Sequence, residues 1–265
     1  MQVDENKAVW DGKYHWADQG DEWSEPWGGV ANHWYGSILP RILPFVPVQR
    51  MVEIACGQGR ITQFLKELTR EYIGIDLSEQ CIETCRSRFR DNAHMTFAVN
   101  DGKSLEAVPD GYADLVFSFD SLVHVDPETM SAYVHQLPRV LSDEGVAILH
   151  HSNVGAYDEL IKKIRRVPKL YGGFIRLGLL EKSYYWRDPL ASARSVAEAA
   201  DAAGLHCVAQ ELVRWRESRI YCDAFTVIAR KNSRWAKSAT RIWRNPDFSR
   251  EAANLARIAS HYRGA

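Results

Sequence analysis

"MVEIACGQGRITQF", residues 51–64, joins an apolar run to a helical one through two glycines one residue apart. "RMVEIAC" reads as a buried strand ending at Gly57, and "ITQFLKEL" places apolar residues at 61, 64, 65 and 68, the spacing of one helical face. Glycine at a strand-to-helix turn permits backbone angles closed to other residues and lets a ligand approach the main chain. Two phosphate-binding loops are disfavoured here. Thr62 stands where the third glycine of G-x-G-x-x-G would fall, and no Gly-Lys-Ser/Thr ending follows.

Working outward, Pro40, Pro44 and Pro47 punctuate the approach to this strand, with a short helix expected between Trp34 and Leu43. "EYIGID" is a second strand and "SEQCIETCRSRFR" a helix with Ser78 as N-cap. "HMTFAVN", "YADLVFSFD" and "GVAILHHSN" are further strands, with "PETMSAYVHQLPRVL" a helix that has Pro127 near its first turn. "LASARSVAEAADAAG" is a helix, and "LHCVAQELV" and "YCDAFTVIAR" are the last strands. Such alternation predicts βαβ units and a parallel sheet covered by helices on both faces. The pattern breaks from about 155 to 190, a basic, aromatic stretch that reads as a lid insertion. Two helices, "RWAKSATRIW" and "REAANLARIASHY", are expected in the tail.

The sequence resembles the class I S-adenosylmethionine-dependent methyltransferases over about 48–152 and in "FTVIAR". Their acidic residue four positions before a glycine turn matches Glu53 before Gly57, and their ribose-binding acid matches Asp76, with Leu77 flanking the adenine. Their third motif matches Asp101 in "NDG", where an acidic side chain accepts from the adenine amino group, and their fourth matches "FSFDSLVHV". Ala55 departs from the Asp or Leu commoner there, at a position expected to tolerate substitution. The resemblance implies a Rossmann-like, seven-stranded, mostly parallel sheet with an antiparallel last strand. It implies a cofactor set of Glu53, Cys56, Gly57, Gly59, Arg60, Asp76, Leu77, Asn100, Asp101, Gly102 and Phe119. Glu53, costly if buried unpaired, would order the loop amides or reach the donor's amino group.

The acceptor is read from the carboxyl ends of strands four and five, beside the donor. Asp120, Ser121 and His124 follow one strand, and His150, His151, Ser152 and Asn153 the other. His124, His150 and His151, with Asp120, are the catalytic candidates, a base being needed if the acceptor is a hydroxyl. Strand geometry sends His150 and His151 to opposite faces. "DEWSEPWGG", "NDG", "FDSLVHV" and "HHSN" look like a branch found in bacterial carbohydrate-biosynthesis clusters, similar to sugar O-methyltransferases at the paired histidines. That implies a saccharide hydroxyl acceptor, met by Tyr14, Trp16, Trp27, Asn153 and Tyr185. It also raises Mg²⁺ as a second cofactor, with Asp120, Asn153 and the histidines as ligands. A methyltransferase of another small molecule and a silent donor-binding partner subunit are the alternatives; a nicotinamide enzyme is disfavoured by the incomplete fingerprint.

Composition bounds the rest. Hydrophobic residues at 46% and charged ones at 25% suit a soluble chain with a sizeable core, and the net charge of −1 supplies no global attraction to nucleic acid or membrane. No apolar run is long enough to span a bilayer, the N-terminus lacks a secretory layout, and five scattered cysteines read as free thiols, which points to the cytoplasm. Nine tryptophans are many, and Trp10, Trp16, Trp23, Trp27 and Trp34 crowd the first 34 residues. They read either as an arm packed over the core or as an active-site wall. The expected layout is an aromatic arm over 1–47, a catalytic domain over 48–232 and a helical tail over 233–265. A homodimer through the arm or tail is a further expectation.

Overall fold

A computed structural model of the chain describes residues 2–180, 186–215 and 219–263. Eight strands form one sheet in the order β3-β2-β1-β4-β5-β7-β6-β8. They are β1 (Val48–Ile54), β2 (Thr69–Asp76), β3 (Met95–Val99), β4 (Ala113–Ser118), β5 (Leu141–Ser152), β6 (Leu205–Val213), β7 (Asp223–Arg230) and β8 (Arg241–Asn245). All pairings are parallel except those of β7, which runs against both β5 and β6.

The near-continuous apolar strands follow from burial on two faces. Met51, Leu115, Phe117, Val146 and Ile148 enter one core cluster, while Val52, Ile54, Val116, Ala147 and Leu149 enter the other. Successive side chains on a strand point to opposite faces, so both must be apolar. The Glu79–Arg88 helix begins where expected, Ser78 Oγ accepting the Cys81 N–H at 3.2 Å. The Pro127–Val140 helix is capped by Asp126, whose carboxylate takes the Thr129 N–H at 2.8 Å.

The tail departs from expectation. "RWAKSATRIW" is one short helical turn, Arg234–Ala236, followed by β8, so the sheet has eight strands rather than seven. Ile242 and Trp243 favour an extended backbone, and Thr240 Oγ1 donates to the Cys207 carbonyl at 2.6 Å while Asn245 Nδ2 donates to Glu211 at 2.8 Å. Those ties to β6 outweigh the weak helical spacing. The Phe248–Tyr262 helix then returns to the N-terminal arm. Arg41 fastens the three parts, bonded to Glu211 at 2.7 and 2.8 Å and to Glu251 at 3.1 Å.

Candidate active site

Beyond Ile54 the chain turns through three left-handed residues, Ala55 (φ +57°), Gly57 (φ +56°) and Gly59 (φ +90°). A Cβ on Gly59 would stand 2.6 Å from the Phe89 ring, so backbone angle and packing both demand glycine there. Ala55 is the exception: a side chain in this region costs about 1–2 kcal/mol. Ala55→Gly is expected to stabilise the fold by up to about 1 kcal/mol, raising Tm by roughly 2–4 °C. A lowered Tm in thermal unfolding would sink that reading.

Glu53 lies buried beside this turn, and its Oε2 accepts from Thr62 Oγ1 at 2.6 Å and from the Tyr72 hydroxyl. Burial pushes its carboxyl up to about 7, against those bonds and the field of Arg60. Asp76 closes β2, its two oxygens accepting the Gly57 N–H at 2.8 Å and the Ser78 N–H at 2.9 Å. Burial raises it to about 6 despite those donors. Arg60 donates to Asp120 at 2.9 Å and to Ser24 at 3.3 Å and stands 5.6 Å over Phe119.

These groups line a cavity of about 560 Å³, within the range of small-molecule sites. Glu53, Cys56, Gly57, Arg60, Asp76, Leu77, Gly102 and Phe119 reach it from the sheet, as do Asp120 and His124 beyond β4. The arm supplies Asn6, Trp10, Trp16, Trp23 and Trp27. Trp10 is the hub, with ring centroids 5.8 Å from Trp16, 5.8 Å from Trp186 and 5.3 Å from His124.

The three histidines separate sharply. His124 lines the cavity, and its Nδ1 donates to the Trp186 carbonyl at 2.8 Å, which puts the lone pair of the neutral ring on Nε2. His150 is corrected as a base candidate. Its Nδ1 accepts the Asp120 N–H at 3.0 Å, so the proton sits on Nε2, 3.6 Å from Asp223, and the ring is stacked between Phe119 and Phe225 outside the cavity lining. His151, on the other face, is corrected too. Its nitrogens are bonded to the Ser152 carbonyl and Thr226 Oγ1, both at 2.8 Å, and burial lowers its pKa to about 4.

Other expected contacts also fall away from the cavity. Asn153 is spent on backbone, donating to the Tyr221 carbonyl and accepting from Ala193 N–H, both at 2.8 Å. Asp101 caps its own turn through the N–H groups of Lys103 and Ser104 at 3.0 and 2.6 Å, and Asn100 Nδ2 bonds Ser104 and Tyr133. Gly59 packs on Phe89 beneath the loop, and Tyr14 sits behind Trp16, its hydroxyl on Glu22 at 3.0 Å. Tyr185 lies outside the described residues. The set named for Mg²⁺ does not fit: Asp120 holds Arg60, Asn153 holds backbone, and among the described residues no three metal-ligating side chains converge.

Sequence reading missed Trp10, Ser24 and Arg187. Arg187 reaches the cavity while bonded through Nε and Nη2 to buried Asp223 at 2.5 and 2.7 Å. Asp223 also accepts from Trp215 Nε1 at 3.0 Å. No local motif marks this pair. Trp10 was visible only as one of a crowded set.

Residues 51–145 match a family described as a methyltransferase domain. The fold is similar to that of the PH0226 protein of Pyrococcus horikoshii OT3, at 20% identity over 76% of this chain and 93% of that one, with TM-score 0.52. A methyltransferase of Mesorhizobium loti is similar at 15% identity over 75% and 97%, TM-score 0.52. One from Methanosarcina mazei is similar at 17% over 72% and 97%, TM-score 0.51. At these identities the likeness is one of fold. No curated protein sequence matches the chain. The methyltransferase domain matched over residues 51–145, with the sheet order and the glycine turn around it, supports S-adenosylmethionine-dependent methyl transfer as this chain's activity. The methyl donor is S-adenosylmethionine, and the cradle fits it: backbone at the glycine turn, Asp76 at the end of β2, and aromatic walls.

Proposed function

We propose that the acceptor is a hydroxyl of a saccharide or glycoside and that His124 is the general base. The supporting observation is that His124 lines the cavity with its ring proton held on Nδ1 by the Trp186 carbonyl, so that Nε2 is the basic atom. When bound, the donor supplies a methyl group activated on a sulfonium. The chain's own part is positioning and proton transfer. Trp10, Trp16 and Trp23 offer indole faces against which a sugar ring packs, whereas the Trp27 ring is buried and stacked on His33 at 3.5 Å. Arg60 holds Asp120, and His150 holds the Asp120 backbone from behind, so the loop after β4 is braced on two sides.

Glu53 and Asp76 serve the donor in this reading, and their raised pKa values make the role testable. Donor affinity is expected to rise from pH 6 to pH 8, as the carboxyls near 7 and 6 ionise to meet a cationic ligand. Calorimetry at the two pH values measures this, and Glu53→Gln is expected to flatten the rise. Equal affinities in the parent protein at both pH values would remove the assignment. The acceptor is tested by release of S-adenosylhomocysteine across a panel of mono- and oligosaccharides. Turnover on a saccharide hydroxyl supports the proposal. Turnover confined to other small molecules, or donor binding with none, refutes it.

A further inference from the structure

Between β5 and the Ala193–Ala202 helix lie two short helices, Asp158–Arg165 and Pro168–Arg176, whose outer surface methyl transfer does not use. Residues 158–177 carry six basic side chains, Lys162, Lys163, Arg165, Arg166, Lys169 and Arg176, against Asp158 and Glu159. The segment is therefore net +4 in a chain of net −1. All six basic residues are exposed, and among the described residues only Lys162 meets a carboxylate, Asp158 at 2.6 Å.

Large apolar side chains stand among these charges. Leu160, Val167, Leu170 and Leu177 are 50%, 51%, 45% and 70% exposed. Folding does not need them, because the inner faces of the same helices close a separate small core through Ile161 and Ile164, with Tyr171, Phe174 and Ile175 packed against it. Basic residues interleaved with exposed leucines on amphipathic helices are what an anionic bilayer surface accepts. Leucines enter the acyl boundary while Lys and Arg stems reach up to the phosphates. A nucleic acid would match the charges and gain nothing from the leucines.

We propose that this helical pair docks the protein on an anionic lipid surface. Overall charge supplies no such attraction; its segregation into one segment does. The small core beneath the docked face adjoins the active site, since Trp215 and Cys222 pack in that core and line the cavity. The proposal is independent of the acceptor's identity.

Co-sedimentation of the full chain with vesicles tests it, using phosphatidylcholine alone and an equal mixture with phosphatidylglycerol. Binding to the mixed vesicles is expected, weakening as salt rises. Removing three charges in K162Q/K163Q/R166Q is expected to lower it by roughly a hundredfold, at about fivefold per charge. L170S/L177S, which keeps every charge, is expected to bind more weakly than the parent. Unchanged calorimetric affinity for S-adenosylmethionine verifies that the variants are folded. No binding to mixed vesicles, equal binding to both kinds, or parent-like binding by the charge variant overturns the proposal. Binding of single-stranded RNA without vesicle binding also overturns it and reassigns the patch to nucleic acid.

Discussion

His124→Ala is expected to lower kcat by between about a hundredfold and ten-thousandfold, the usual contribution of a positioned base, while donor affinity stays that of the parent protein. The ring makes its contacts with Trp10 and the Trp186 carbonyl rather than with the glycine turn, so its loss leaves the donor cradle intact. Burial lowers its pKa, outweighing the Trp186 carbonyl and the nearby Asp120 charge that favour the protonated ring. A base must be unprotonated to act. The acid limb of kcat/KM is therefore expected below the ordinary histidine value of about 6.5, and it should vanish in the alanine variant. Full turnover by His124→Ala on the true acceptor would end the assignment. His150→Ala provides the contrast: as a residue that positions the Asp120 backbone, it is expected to lower kcat without moving that limb.

Asp223→Ala is expected to cost about 3–5 kcal/mol of stability, because it strands the Arg187 guanidinium, nearly buried, without its counter-charge. At this chain length that corresponds to a fall in Tm on the order of 10 °C. The pair need not be a net stabiliser, since desolvating two charges offsets much of their attraction. Replacing both by apolar residues (Arg187→Met with Asp223→Leu) is expected to recover most of the loss. The pH dependence has a definite sign. Burial alone would raise the Asp223 carboxyl, but the Arg187 charge and its paired bonds hold it well below the usual range. A depressed folded value stabilises above the unfolded value of about 3.9, and that stabilisation is lost as pH falls through the folded value. Unfolding curves followed from pH 7 to well below pH 3 should thus keep their gap down to about pH 4 and converge for parent and variant only at the acid end. Parallel curves would show that the ion pair is not what the mutation removes.

The donor half of the site was largely legible because it is local. Glu53, Gly57 and Asp76 occupy fixed places at the ends of β1 and β2, and the strand pattern that locates those ends depends on near neighbours alone. Even there one angle escaped. Ala55 gives no sign in the sequence of its φ of +57°, since a residue type does not report a strain that surrounding structure enforces. β8 escaped as well, because "RIWRN" becomes a strand through pairing with β6, some thirty residues earlier.

By itself, then, the sequence determined the order of the first seven strands, the glycine turn, and the two carboxylates at strand ends, all consequences of periodicity and local backbone chemistry. Tertiary structure alone decided which histidine meets the cavity, for His124, His150 and His151 are equally plausible as letters. They differ only in partners brought from residues 186, 120 and 226. It likewise paired Arg187 with Asp223 and laid Trp10 against His124. The physical reason is the same in each case: a side chain's protonation and direction are set by what it touches, and those contacts join residues far apart along the chain.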